Sequence, residues 1–314
     1  MSIGAGLRGP AGWVATRYAR GPKRVSGFAW GDGGRLWLAA AGLGTHGTDG
    51  VYTRDPASHR VTKVISGLND PLGLVWMHGT LYVASVGRVD AFSGFDGTRF
   101  ARRRRIVDGP VRGAENNALA RAPDGRLLMG ISATCDHCRP RQRASGAIVS
   151  FRPSGKDLKV YASGIRAPVG LAFVPGTRDL LATMNQRDDL GARTTGDWLS
   201  FVQAGSAWGF PACYGQAGSA CDGVPKPLAV LDRHAAASDV AITRAGGSTE
   251  AFVALWATAS IDRVMLTRRG SGYAARREPF LRGMEHPMAL AAAPDGSLLA
   301  GDWGSGLVYR VARR

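Results

Sequence analysis

The sequence predicts an all-β fold: a six-bladed β-propeller of four-stranded antiparallel blades. Three observations predict it. A strand–turn–strand unit recurs at intervals of 46, 45, 52, 71 and 48 residues along the 314-residue chain. A period near 45 with four strands per unit belongs to propellers. Each unit opens on a small residue, at Gly27-Phe28, Gly73-Leu74, Ala118-Leu119, Gly170-Leu171, Ala241-Ile242 and Ala289-Leu290; inner strands crowd a central axis where bulk does not fit. The 44 glycines supply the turns of such a fold.

Taken in order, Gly12 to Gly21 alternates well enough for one strand and stops at Pro22. Blades then start near residues 25, 70, 116, 166, 238 and 286, within one domain spanning 1–314. The first turns are Asp32-Gly33-Gly34, His78-Gly79, Asp124-Gly125, Pro175-Gly176, Gly246-Gly247 and Asp295-Gly296. Second strands are expected at Leu36–Ala39, Leu81–Ala84, Leu127–Gly130, Leu180–Thr183, Phe252–Leu255 and Leu298–Gly301. The last unit, ending with Gly306 to Val311, lacks an outer strand. Residues 13–20, centred on Val14–Tyr18, are expected to supply it, closing the ring and removing a free sheet edge.

Hydrophobic residues are 45% and charged residues 20%, so the chain should bury a substantial core. No apolar run approaches the roughly 18 residues of a membrane span. The formal charge of +16 is largely arginine. An anionic partner is one reading; a compositional bias over a solvated surface is the favoured one. The dense run Arg102–Arg105 falls where an outer strand belongs and has no interleaved aromatics, so no specific nucleic-acid binding is expected. Four cysteines form two local pairs, Cys135/Cys138 and Cys213/Cys221. Two disulfides in an oxidising compartment are expected. A four-thiolate zinc site is the alternative, although C-x7-C is wider than zinc sites use. Met1 to Pro10 lacks the apolar core of a signal peptide, yet the cysteines point to a periplasmic or secreted protein.

The most informative stretch is Ser163 to Gly215: strand, Pro175-Gly176 turn, strand, a charged loop, a third strand from Trp198 to Val202, then a Gly/Trp/Pro/Cys-rich segment. Gly164-Ile165-Arg166, Pro168, Gly170-Leu171-Ala172-Phe173, Asn185, Arg187-Asp188, Leu190-Gly191, Asp197, Leu199, Val202, Gly209, Pro211 and Cys213-Tyr214-Gly215 match a family pattern. That pattern runs G-[IL]-R-N-P-x-G-L-A-F, T-E-N-G-R-D-x-L-G, D-E-L-N-x-V and G-W-P-x-C-Y-G. On these residues the chain resembles the quinoprotein glucose/sorbosone dehydrogenases, which are six-bladed propellers.

The resemblance implies pyrroloquinoline quinone (PQQ) lying over the channel, calcium beside it, a sugar or related alcohol as substrate and an external electron acceptor. In that family a histidine before the third inner strand takes the substrate's hydroxyl proton, in a segment like H-x-x-N-x-L-x-x-x-P-D-G. Here it reads Ala114-Glu115-Asn116-Asn117-Ala118-Leu119, with Pro123-Asp124-Gly125 following, so the histidine position is Ala114. Glu115 and His286 are the candidate replacement bases. Arg166 matches the arginine that neutralises the cofactor, and Asn116, Asn117, Asn185 and Arg187 join it as candidate cofactor contacts. Asp188 and Asp189 form an oxygen-rich loop suited to calcium, a hard cation. The plainer reading of that loop is ion pairing with Arg187 and Arg193.

Positions before the inner strands carry Arg24, Asn69, Asp70, Glu115, Asn116, Asn117, Arg166, Asp239 and His286, a polar channel mouth. His46 is a weaker candidate, and His137 is expected to face solvent. Two other functions stay open: a ligand-binding propeller without redox chemistry, and a calcium-dependent lactonase using Glu115, Asn116 and Asn117.

Overall fold

In the computed structural model, residues 1–44, 49–109, 115–215, 219–245 and 247–314 are described. They form six antiparallel sheets, one per blade. The inner strands are Val25–Trp30, Gly73–Met77, Asn116–Arg121, Ala167–Phe173, Ala237–Ala245 and Pro287–Ala292. Each packs on the next, and that of blade 6 packs on that of blade 1, closing the ring. The fold expected from the repeat is the fold observed. Second strands run slightly longer than their apolar cores, for example Leu180–Asn185 and Ser248–Leu255. His46, Ala114 and Gly246 lie outside the described residues.

The small openings have the expected cause. A Cβ on Gly73 would come within 2.5 Å of the Asn117 carbonyl oxygen, and one on Gly170 within 2.7 Å of the Asp239 Cα. These contacts are with backbone of the next blade, which cannot yield easily.

Side chains then staple neighbouring inner strands. The Ser26 hydroxyl donates to the Pro71 carbonyl at 2.7 Å, the Asn117 amide to the Pro168 carbonyl at 3.0 Å, and the Ser238 hydroxyl to the Pro287 carbonyl at 3.2 Å. Blades 1, 3 and 5 donate; blades 2, 4 and 6 accept. A proline has no N–H to place in the ladder, but its carbonyl remains available to the neighbour.

The ring closes as predicted. Trp13–Arg20 forms the fourth strand of blade 6 against Leu307–Arg313. The sequence did not suggest what precedes it. Ser2–Gly4 and Leu7–Arg8 make a small hairpin that extends blade 5 beyond Gly272–Arg282, through the pair Arg8 and Arg282. Ile3, Leu7 and Trp13 are buried there with Phe252 and Phe280, and Trp13 meets Phe280 edge to face at 4.8 Å.

Both cysteine pairs are disulfides, Cys135–Cys138 and Cys213–Cys221, which sets the zinc alternative aside. The long fourth interval is explained by residues 203–228. The Ser163 N–H donates to the Ser206 carbonyl, the Trp208 N–H to the Ser163 carbonyl and the Phe210 N–H to the Gly164 carbonyl. The segment thus follows the outer strand of blade 3, Lys159–Ser163, before blade 4 gains its own outer strand, Ala229–Arg233. No helix among the described residues is long and apolar enough to cross a membrane.

Candidate functional site

Antiparallel connection puts the starts of the inner strands and the ends of the second strands at one end of the ring, the channel mouth. On blade 3 this brings Glu115, before the inner strand, to Ser132, just after the second strand Leu127–Ile131. The Ser132 N–H donates to the Glu115 carbonyl, and its hydroxyl reaches Glu115 Oε2 at 3.4 Å. Arg166, at the entrance to blade 4, accepts from the Ala133 N–H through its carbonyl at 2.7 Å. Glu115, Ser132, Ala133, Thr134, Cys135, Arg166 and Ala167 line a cleft of about 290 Å³. The Glu115 side chain reaches solvent through it, while protein crowds its other sides. That crowding raises its carboxyl above the usual range; the Ser132 hydroxyl opposes the rise, Asp70 adds to it and Arg166 opposes it.

The cleft's rim is a charge network that the sequence revealed only in part. Asp136 lies between Cys135 and Cys138. One of its oxygens sits 2.5 Å from Arg166 Nε. The same carboxylate accepts from the Asp188 N–H at 3.0 Å and the Asp189 N–H at 2.6 Å. Arg166 Nη2 donates to Asp188 at 3.2 Å. His234 presents Nδ1 to the other Asp188 oxygen at 2.8 Å and Nε2 to the Gly191 carbonyl at 3.0 Å. Both ring nitrogens face acceptors, an arrangement that an imidazolium alone satisfies. These bonds raise the His234 pKa, the Asp188 carboxylate first among them.

Arg187 is buried and grips Asp189 through two parallel bonds, 2.8 and 2.7 Å, holding that carboxyl down at about 2. Its guanidinium lies 4.3 Å over the Tyr214 ring, tying the loop to the Cys213–Cys221 segment. Ion pairing therefore does hold this loop, with Arg187, Arg166 and His234 as its cations; Arg193 makes none of these bonds. His137 is exposed, as expected, edge-on to Tyr214 at 6.4 Å. Among the described residues no group of three or more His, Cys, Asp or Glu side chains is gathered as a metal site.

The asparagines have structural partners. Asn116 donates to the Ser85 carbonyl of blade 2, away from the cleft. Asn117 bridges Ser132 Oγ at 2.9 Å and Pro168. Asn185 pairs across the sheet with Ala167, beside the cleft. The side-chain oxygens of Asn116, Asn117 and Asn185 are buried without a hydrogen-bond partner.

Blade 6 lies opposite blade 3 in a six-membered ring, so His286 belongs to the far wall. It stacks on Trp256 at 4.2 Å, meets Trp303 edge-on, and its Nδ1 is 3.1 Å from the Trp256 carbonyl. Trp256 and Trp303 pack on Ala41, Leu72 and Met288. The mouth thus has a charged wall on blades 3 and 4 and an aromatic wall on blades 5 and 6. Asp239 bonds the seam between blades 5 and 6, accepting from the Val240 and Leu290 N–H groups, each at 2.8 Å.

The implied quinone and calcium can be tested against these residues. Arg166 keeps Nη1 uncommitted at the cleft, a donor for one carboxylate. The unpartnered oxygens of Asn117 and Asn185, beside the cleft, are hard donors of the kind calcium prefers. Glu115, Asp136 and Asp188 make the rim acidic, so an anionic ligand would need a cation between itself and them. The residues present fit such a pair of groups.

No family model matches the chain, and no curated protein matches it. Solved structures do, among them glucose and aldose sugar dehydrogenases and the PQQ domain of a pyranose dehydrogenase. The PQQ-bound aldose sugar dehydrogenase of Streptomyces coelicolor is 21% identical with a TM-score of 0.77, over 97% of this chain and 100% of that one. The holo PQQ domain of pyranose dehydrogenase from Coprinopsis cinerea is 14% identical with a TM-score of 0.80, covering 98% and 97%. A calcium structure of the Trichoderma reesei carbohydrate-active enzyme family AA12 is 16% identical with a TM-score of 0.81, covering 98% and 97%. At these identities the likeness establishes the fold.

Proposed function

We propose that the chain is a quinoprotein-type sugar oxidoreductase working at the charged wall of the channel mouth. The observation that carries this reading is Glu115, a carboxylate of raised pKa open to a cleft beside Arg166. When bound, PQQ would supply the two-electron sink for the hydride leaving the sugar carbon. Glu115 takes the hydroxyl proton, oriented by Ser132. Arg166 holds an acidic group of the cofactor through Nη1, and its pairing with Asp136 and Asp188 keeps the guanidinium in place. Asn117 and Asn185 offer oxygens to calcium. Trp256 and Trp303 offer apolar faces suited to a sugar ring. Two disulfides suit a periplasmic or secreted location.

The full chain, titrated with PQQ and calcium while absorbance is followed, should bind the quinone at micromolar concentration and then reduce a dye acceptor when given aldoses. Absence of quinone binding would leave the second reading, a sugar-binding propeller without redox chemistry. The neutralisation of Arg166 by two carboxylates favours that alternative.

A further inference from the structure

A cleft of about 980 Å³ lies at the opposite end of the ring from the mouth. It is bounded by the first turns of blades 4 and 5 and by the outer strands of blade 5, Ser260–Arg269 and Gly272–Arg282. Four arginines reach it: Arg178, Arg244, Arg268 and Arg276. Against them stands one lining carboxylate, Asp179, held by Arg268 and by the Tyr273 hydroxyl at 2.5 Å. Arg276 pairs with Glu278 at 3.0 Å. Arg244 bonds the Pro175 carbonyl at 3.2 Å and meets no carboxylate. Arg178 is exposed and has no partner among the described residues. Arg178 also borders a neighbouring hollow lined by Asp124 and Arg126.

Two guanidiniums without carboxylates on the wall of a roomy cleft are forks built for oxyanions. Thr249 and Thr267 add hydroxyls, which suit a ligand that is itself rich in hydroxyls. Base stacking has no platform here: Arg268 lies 5.0 Å over the Tyr273 ring, whose remaining aromatic contact is edge-on to Phe201. The volume is near the upper end of small-ligand pockets, enough for several sugar rings.

We propose that this cleft binds an acidic glycan, a chain of sugars carrying carboxylates, with Arg178 and Arg244 as its principal contacts. The site is separate from the channel mouth and does not depend on the redox reading.

Calorimetric titration of the full chain at physiological salt tests it, using a six-residue oligogalacturonate, its fully methyl-esterified form and a single-stranded oligonucleotide of equal charge. The acidic oligomer should bind and the ester should not. Replacing Arg178→Ser and Arg244→Ser together should weaken binding roughly ten- to a hundredfold. Both positions are exposed, and an unchanged melting temperature will show that the fold is kept; Arg178→Glu alone is the second variant and should weaken binding in the same direction. Arg102→Ser with Arg104→Ser, on the outer strand of blade 2, should leave affinity unchanged. The proposal is overturned if the acidic oligomer does not bind, if the oligonucleotide binds as tightly, or if the blade 2 variant loses as much affinity as the cleft variant.

Discussion

Glu115 and Asp239 are carboxylates that the ring surrounds, and both hold their protons to higher pH than usual. For Glu115 this bears on activity. In its proposed role as general base Glu115 must be deprotonated, so turnover should rise with pH through its raised pKa, and Glu115→Gln should lose about 10²–10⁴-fold in kcat without losing quinone affinity. For Asp239 it bears on stability. Burial raises its carboxyl to about 7 against the two N–H donors that lower it. The folded state therefore binds this proton more tightly than the unfolded one, so Asp239's contribution to stability is fully present below about pH 4 and is lost as pH rises through about 7. The side chain keeps some solvent contact, so the loss should be about 1–3 kcal/mol, less than the full shift implies. Urea melts of wild type and Asp239→Asn across pH 4–8 should show the slope flattened in the variant. Arg166→Ala should weaken quinone binding roughly ten- to a hundredfold and Arg166→Lys should recover part of it, measured by the same titration as wild type. Arg166 and Glu115 were readable from their positions before inner strands. Asp136 and His234 were not, because each acquires its role from a loop some 50 residues away, and local pattern carries no trace of such pairing. The Asn116 amide also joins two blades, through the Ser85 carbonyl.

At the level of the strand, inner-strand glycines let one blade's backbone approach the next. Gly170→Ala would drive a Cβ into Asp239 and Val240 backbone and should cost about 1–3 kcal/mol. Gly272→Ala is the control, since its nearest neighbour is the Phe201 ring at 4.0 Å; thermal melts of the two variants should separate clearly. The six openings were legible because crowding at the axis imposes a small residue, glycine or alanine, at each repeat. The outer strand of blade 4 was hidden, because residues 203–228 first run along blade 3 and break the period. The amino-terminal hairpin was hidden too: Ser2–Gly4 and Leu7–Arg8 are too short to show alternation, and their register comes from the edge they meet.

Across the whole molecule, the two ends of the ring pair their charges differently. At the mouth Asp136, Asp188 and Asp189 are met by Arg166, Arg187 and His234, while the cleft at the far end holds Arg178 and Arg244 without carboxylate partners. The formal charge of +16 is thus no guide to what either end attracts. Closure is the other global property. Removing Met1–Arg20 strips the outer strand from blade 6 and the added hairpin from blade 5, so the truncated chain should melt well below the full one. An unchanged melting temperature would mean that the ring is held by other contacts.

The way the amino terminus clasps blades 5 and 6 also sets an order of events during synthesis. Ile3, Leu7 and Trp13 bury themselves against residues up to Val311, so they have no native partner while most of the chain is still being made. At the usual pace of about 5–20 residues per second, that wait is on the order of 15–60 s. Throughout it this segment lacks those partners, and it is among the last to find its place.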